Sequence, residues 1–440
     1  MYTFYPYFTN DGSVGLYSPE ADDIYHSTYG ALSEALEKFV LPMELSEFIK
    51  KNNQIKILDI CYGIGYNSKT FLDFFIKNFL LKNNTTAAIG SDNISLKNTN
   101  KKSSNFNIYI KAIDTDKTLA YLSPFIVTGK KYFWSNKLSF HDERVEKFLN
   151  KKNVISKENS PREKIKYLFS NRKKKSVINN GKFLRSSNPK ISPVTNIIFL
   201  LEIINSHPEF LTDVNINHIL TDKKYKEFLA RDIAALFNFK RNQGYKYTLL
   251  KRLIVFLHNI YYNHLSISYK KALKCLKLCN FNFDLKICDA RNAIIEDKNT
   301  YNFVFLDAFT PAKCPALWTL DFFKLLYDRI DEDGIILTYS NSASVRKAFL
   351  ESGFYVGKIY NESESKFIGT IASKNKSLIK NELSQYDLGL LNTKAGIVYR
   401  DKNLNASNEA IIASHKSEVE TSDLESSSSY IKKSGRKHNV

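Results

Sequence analysis

The stretch Ile57–Phe75, ILDICYGIGYNSKTFLDFF, decides the reading of the chain. Ile57, Leu58 and Ile60 are apolar and strand-forming, Asp59 falls at the strand's carboxyl end, and Phe71, Leu72, Phe74 and Phe75 supply the apolar face of a helix. Between them, Gly63 and Gly65 let the backbone approach a ligand where a Cβ would collide. A strand that feeds a helix through such a turn builds a ligand site. A dinucleotide fingerprint places a third glycine where Ser68 stands here, after Asn67, and Asp59 would repel a phosphate. Asp59, the two glycines and Asn67 suit a cationic or amine-bearing ligand, and S-adenosylmethionine fits them.

Outward from this stretch the chain alternates strands and helices, with interruptions. Asn107–Leu122, NIYIKAIDTDKTLAYL, reads as a second strand ending in Asp114 and then a helix. An acid at the end of the second strand takes the ribose hydroxyls of an adenosine ligand. FDLKICDARNAI is a strand ending at Asp289 with a short helix, and YNFVFLDAF is a nearly all-apolar strand of a parallel sheet, ending at Asp307. A loop, TPAKCP, leads to the helix ALWTLDFFKLLYDRI, the strand GIILTYS and the helix SASVRKAFLESG, and the runs YVGKIY and SKFIGTIAS are spaced for a closing antiparallel hairpin. Asp59, Asp114, Asp289 and Asp307 thus fall at the carboxyl ends of successive strands, the edge along which open α/β sheets bind ligands. The expected fold is a Rossmann-like α/β sheet with a C-terminal β-hairpin and a Lys-rich helical insertion.

Five segments follow. Residues 1–54 form a lid, with a turn at Asn10, Asp11 and Gly12 and a helix from Ala31 whose face carries Leu32, Ala35, Leu36, Phe39 and Val40. Residues 55–123 are the first half of the sheet domain, interrupted at 83–105 by a polar insertion. Residues 124–280 are a basic helical insertion, with thirteen Lys or Arg against two Glu between 151 and 200 and the run Arg172 to Lys175. Two readings fit that segment: a clamp for RNA phosphates, or a solvated lysine-rich face. Residues 281–375 are the second half of the domain, and 376–440 are an extension in which TKAGIVYRD reads as a helix and the Ser-rich end as disordered.

Composition bounds the function classes. A 43% hydrophobic chain with 13% aromatic residues is globular, and a formal charge of +19, from 64 Lys and Arg against 45 Asp and Glu, favours a polyanionic partner. Part of that excess matches a chain rich in Asn, Lys and Ile throughout. The five cysteines form no CxxC pair and have no His at zinc spacing, so no metal is expected. The longest apolar run, Val194 to Ile204, falls short of the roughly 20 residues of a membrane span. The N-terminus has no basic region followed by an apolar run, and a cytoplasmic protein is expected.

Three motifs carry a resemblance. ADDIYHSTYGALSE, ILDICYGIGYNS and FLDAFTPAKCPALWT are similar to those of MnmC-like methyltransferase domains, the third through Asp307, Phe309, Pro311, Ala312, Lys313, Pro315 and Trp318 in order. His26 and Ala308 depart from the family's usual Phe and Gly, and the Lys-rich middle has no counterpart. The resemblance implies transfer of a methyl group from S-adenosylmethionine to the aminomethyl group of 5-aminomethyl-(2-thio)uridine at the tRNA wobble position. It implies Asp307 as the catalytic residue and Asp59, Gly63, Gly65, Asn67, Asp114, Asp289, Tyr25 and Glu34 as cofactor contacts. Asp22, Asp23, Ser27, Phe309, Lys313 and Trp318 are the implied substrate contacts, although Trp318 also reads as a core helix residue. The partner would be the tRNA anticodon stem-loop. No second glycine fingerprint follows Gly369, so a separate oxidoreductase would supply the amine. Two rivals keep part of this reading: a methyltransferase for a small amine, and a non-catalytic RNA-binding relative.

Overall fold

The structure is a computed structural model that describes residues 5–9, 11, 13–18, 23–26, 29–80, 106–125, 191–207, 272, 274–276, 278–362 and 364–434. The chain divides into two compact units, one of Met1–Ser33, Ile126–Ile191 and Asp213–Tyr262, the other of Glu34–Phe125, Ser192–Thr212 and Asn263–Val440. The polar insertion at 83–105, the run Arg172 to Lys175 and most of the 124–280 segment lie outside the described residues, as do Asn10, Gly12, Asp22 and Ser27.

The first unit contains a three-stranded antiparallel sheet of β1 (Tyr5–Phe8), β2 (Val14–Ser18) and β3 (Asp23–Tyr25). Asp11 organises the β1–β2 turn. Its Oδ1 accepts from the Thr9 hydroxyl at 2.8 Å and the Ser13 amide at 2.9 Å, and its Oδ2 accepts from the Ser33 amide at 2.8 Å. Gly30 packs so closely on this carboxylate that a Cβ there would lie 2.2 Å from it.

The second unit is built on seven strands: β4 (Gln54–Ile60), β5 (Phe106–Asp114), β6 (Cys279–Ile287), β7 (Tyr301–Leu306), β8 (Ile330–Thr338), β9 (Tyr355–Asn361) and β10 (Lys366–Ser373). Their order is β6-β5-β4-β7-β8-β10-β9, parallel from β6 through β8, with β10 antiparallel to both its neighbours. This is the Rossmann-like methyltransferase arrangement with its closing hairpin. The order turns back at β4, which lies between β5 and β7, and a crevice opens outside the carboxyl ends at such a point. Ile57, Leu58, Ile60, Val304, Phe305 and Leu306 are fully buried because helices cover both faces of a parallel sheet. Phe39 and Phe48 pack edge-on against Phe305 and Phe303, at 5.6 and 4.9 Å between ring centroids, which ties residues 34–54 to this unit.

The C-terminal extension differs from expectation twice. TKAGIVYRD is no α-helix: a 3-10 turn, Lys394–Gly396, gives way to extended chain in which Tyr399 bridges Thr319 in parallel. Gly396 lies against the Leu391 carbonyl, and Ile397 and Val398 are buried. The Ser-rich end from Glu425 forms the helix Ser427–Lys433, with Ser426 accepting from a backbone amide at its N-terminus, and it follows the helix Asn408–Thr421, which Ser407 caps in the same way. A serine that reads as disorder by composition acts here as an N-cap, and Tyr430 anchors the last helix on Tyr386, 5.7 Å between centroids.

Candidate active site

The carboxyl ends of β4, β5 and β7 bring the principal candidates together around the glycine turn. Gly63 and Gly65 adopt φ of +55° and +75°, and Cys61 between strand and turn also lies in the left-handed region at +65°. A non-glycine residue there is strained by about 1–3 kcal/mol, a cost that the surrounding structure must offset. Asp114 Oδ2 accepts the Gly63 amide at 2.7 Å and its Oδ1 the Asp116 amide at 2.8 Å, so the second strand's acid braces the first strand's turn. Asp59 is completely buried. The Ser68 hydroxyl donates to its Oδ2, while among the described residues its Oδ1 has no hydrogen-bond partner.

Asp307 follows β7 directly, its amide donating to the Ile60 carbonyl at 3.3 Å. The Asn67 amide donates to its Oδ2 at 2.9 Å, joining the glycine-turn helix, Tyr66–Phe75, to the acid expected to be catalytic. The loop beyond is held by two aromatic donors. The Tyr339 hydroxyl donates to the Ala308 carbonyl at 2.8 Å and Trp318 Nε1 to the Phe309 carbonyl at 2.7 Å, with the two rings edge-to-face at 6.1 Å. Phe309 and Lys313 stay half-buried at the surface of this loop. Trp318 is 0% exposed, so it holds the loop from within the core and does not itself present a face to a substrate.

Burial dominates the electrostatics. It raises the Asp59 carboxyl to about 7 against the Ser68 hydrogen bond, with Asp307 and Asp114 adding to the rise. It raises Asp114 to about 6 against the amides of Asp116 and Gly63. At Asp289 burial is outweighed: Arg291 hydrogen bonds hold this carboxyl below its usual range.

The other described candidates have partners of their own. Asp289 caps the helix Ala290–Glu296 and accepts from the Arg291 amide. Glu34 pairs with Lys38 at 2.7 Å. Asp23 Oδ1 accepts the Ile24 amide, and Tyr25 is registered opposite Leu16, both in the first unit. Asp22 and Ser27 lie outside the described residues.

Sequence reasoning missed Lys69, Ser123 and Tyr339. Lys69 is fully buried, burial lowers its ammonium to about 7, and Nζ donates to the Ser123 carbonyl at 2.6 Å. The Ser123 hydroxyl meets the Tyr62 hydroxyl at 2.8 Å, and a Cβ on Gly65 would lie 2.4 Å from both groups. A Lys next to the turn and a Ser after a helix carry no spacing that predicts this contact.

The residues present fit S-adenosylmethionine. At Gly63 a Cβ would meet nothing nearer than the Cys61 carbonyl at 3.9 Å, so the turn offers its backbone to open space, and the Asp114 carboxylate sits against the Gly63 amide. Among the described residues no group of His, Cys, Asp and Glu is placed to hold a metal ion, and no helix is long and apolar enough to cross a membrane.

Comparison with known proteins agrees with the geometry. Residues 257–374 match a family described as S-adenosyl-L-methionine-dependent methyltransferase. An uncharacterized protein of Methanocaldococcus jannaschii is 33% identical over 132 residues, 30% of this chain and 37% of that protein. The tRNA 5-methylaminomethyl-2-thiouridine biosynthesis bifunctional protein MnmC of Burkholderia multivorans is 40% identical over 55 residues, 12% of this chain and 8% of that protein. The chain thus spans well under half the length of these relatives. The crystal structure of MNMC2 from Aquifex aeolicus aligns over 96% of this chain and 86% of that one, at 20% identity and a TM-score of 0.48. The MnmC-like resemblance of the sequence stands in the family match and in the MnmC relative.

Proposed function

We propose that the protein transfers a methyl group from S-adenosylmethionine to the aminomethyl nitrogen of 5-aminomethyl-(2-thio)uridine at the wobble position of tRNA. The observation that carries this reading is the meeting of Asn67 with Asp307 beside the glycine turn that Asp114 braces. The name of the MnmC relative supports the aminomethyluridine class.

Gly63, Gly65, Asp114 and Asp289 hold the cofactor, with Asp114 on the ribose hydroxyls, and the fully buried Asp59 supports the helix after the turn through Ser68. Bound there, S-adenosylmethionine supplies an electrophilic methyl carbon whose bond to sulfur breaks, leaving a thioether, as the amine lone pair forms the new bond. An alkyl ammonium, with a pKa of about 10.4, has no lone pair until its proton leaves. Asp307 accepts that proton, and Asn67 fixes the carboxylate by donating to Oδ2. Tyr339 and Trp318 hold the loop so that Phe309 and Lys313 meet the nucleoside in one geometry, which favours alignment of nitrogen, carbon and sulfur. We assign the basic middle with Arg172 to Lys175 to the phosphates of the anticodon stem-loop. An oxidoreductase acting earlier supplies the amine.

The test is incubation of the protein and labelled S-adenosylmethionine with tRNA carrying aminomethyluridine, followed by mass spectrometry of the nucleosides. Methylaminomethyluridine is the expected product. Label on a free small amine, with none on tRNA, would transfer the reading to a small-molecule methyltransferase.

A further inference from the structure

The described C-terminal extension comes back to the sheet edge through one arginine. Arg291 Nε lies 3.2 Å from each carboxylate oxygen of Asp289, and a terminal nitrogen lies 2.7 Å from Oδ2. Its other terminal nitrogen donates at 2.7 Å to Asp401 Oδ2 and at 2.7 Å to the Ala406 carbonyl. Asp401 is 4% exposed, and its Oδ1 accepts the amides of Asn405 and Ala406 at 3.2 Å each. The segment bearing it is anchored independently. The Leu320 amide donates to the Tyr399 carbonyl at 3.0 Å, Arg400 grips Asp321 through two 3.0 Å bonds, and the Ala316 amide donates to Asn408 at 3.2 Å.

We infer that Arg291 and Asp401 are positioning residues for the base of the cofactor, and that the segment from Tyr399 to Asn408 braces the cofactor site through Arg291. The inference rests on the functional reading above. If Asp114 takes the ribose, the base extends over the neighbouring strand, whose end carries Asp289. An ionised carboxylate only accepts, and the donor on the edge of adenine is its exocyclic amine. A flexible Asp289 would gain little from that donor. Held by a planar guanidinium that is itself fixed by Asp401 and a backbone carbonyl, it keeps one position, and Arg is suited to this because its fork matches a carboxylate geometrically. The Asp289 side chain remains 35% exposed, so the brace leaves it accessible to a ligand.

The experiment measures binding of S-adenosylhomocysteine and of its inosine counterpart, which lacks the exocyclic amine, to wild type, Arg291→Lys, Arg291→Met and Asp401→Asn. Wild type is expected to prefer the adenine compound by about tenfold, the value of one well-placed bond. Each variant should lose most of that preference, Arg291→Lys least, while its affinity for the inosine compound changes little. Melting curves without ligand identify any variant that does not fold, and Asp401→Asn, isosteric and remote from the ligand, keeps the test decisive. Equal losses for both compounds, or variants with wild-type preference, overturn the inference while leaving the cofactor reading intact. A folded wild type that binds neither compound overturns the cofactor reading and the inference with it.

Discussion

The two halves of the sheet edge hold their acids differently. At β4 and β5, Asp59 and Asp114 are held by neutral donors: the Ser68 hydroxyl and the amides of Gly63 and Asp116. Beyond β6, Asp289 is gripped by a guanidinium with a second carboxylate behind it. A neutral donor orients a carboxylate without cancelling its field, whereas a guanidinium cancels most of it. Under the proposed function, the first arrangement would serve a centre where a sulfonium and an ammonium meet, and the second an acceptor that must only stay in place. The raised carboxyls of Asp59 and Asp114 and the lowered carboxyl of Asp289 are the electrostatic form of that contrast.

The largest effect is expected at Asp307, in the half to which the proposed function assigns the chemistry. Asp307→Ala should keep the fold and bind cofactor while losing on the order of 10² to 10⁴ in turnover, the usual contribution of a positioned acid or base. Single-turnover assays with aminomethyl-bearing tRNA and saturating cofactor measure it. Near-normal turnover would leave the reactive half with no more chemistry than the braced half.

Asp59 tests the same half through pH. Its folded carboxyl lies at about 7, whereas in the unfolded chain it ionises near 4. Between those values the unfolded chain has released a proton that the folded protein retains, so stability falls as pH rises from about 4 to 7, by on the order of a few kcal/mol. Asp59→Asn should flatten that slope and melt above wild type at pH 8. Parallel melting curves across the window would mean that the Asp59 charge is not held at a cost.

A smaller loss is expected where the turn carries the donors. Gly65→Ala must place a Cβ at φ +75° and 2.4 Å from Ser123 and Tyr62. Strain of about 1–3 kcal/mol, read as a lowered melting temperature, should accompany weaker cofactor binding as the Gly63 amide leaves Asp114. Unchanged melting would show that the turn yields without disturbing its neighbours.

Much of this edge was legible in sequence because strand ends and tight turns are local. Apolar runs ended by Asp59, Asp114 and Asp307, and glycines at 63 and 65, are patterns of adjacent residues, and each took its expected place in the parallel sheet. What joins those ends was not legible. Arg291 and Asp401 stand 110 positions apart, Asn67 and Asp307 stand 240 apart, and no periodicity links either pair. The Ser-rich end misled for a related reason: composition suggests disorder, while the packing of Tyr430 on Tyr386, the Glu425 carbonyl on the Lys394 amide and the Ser426 cap hold its helix. Trp318 read equally well as core and as substrate contact, and its indole N–H serves the loop from inside the core.

The smallest expected effect sharpens the contrast most, because it isolates one neutral donor. Asn67 donates to Asp307 Oδ2 at 2.9 Å, and a hydrogen bond of this kind contributes about 0.5–1.5 kcal/mol. Asn67→Ala should therefore slow methyl transfer by roughly two- to tenfold at saturating cofactor. A cofactor contact would instead appear mainly as weaker cofactor binding, with turnover restored when cofactor is saturating. The double variant separates the two roles. If Asn67 acts through Asp307, then in an Asp307→Ala background its loss should cost nothing further, since residues sharing one interaction are not additive. If the two losses add, Asn67 serves the cofactor independently, and the reactive carboxylate owes its orientation to the β7 loop, through Tyr339 and Trp318, and not to the helix that follows the glycine turn.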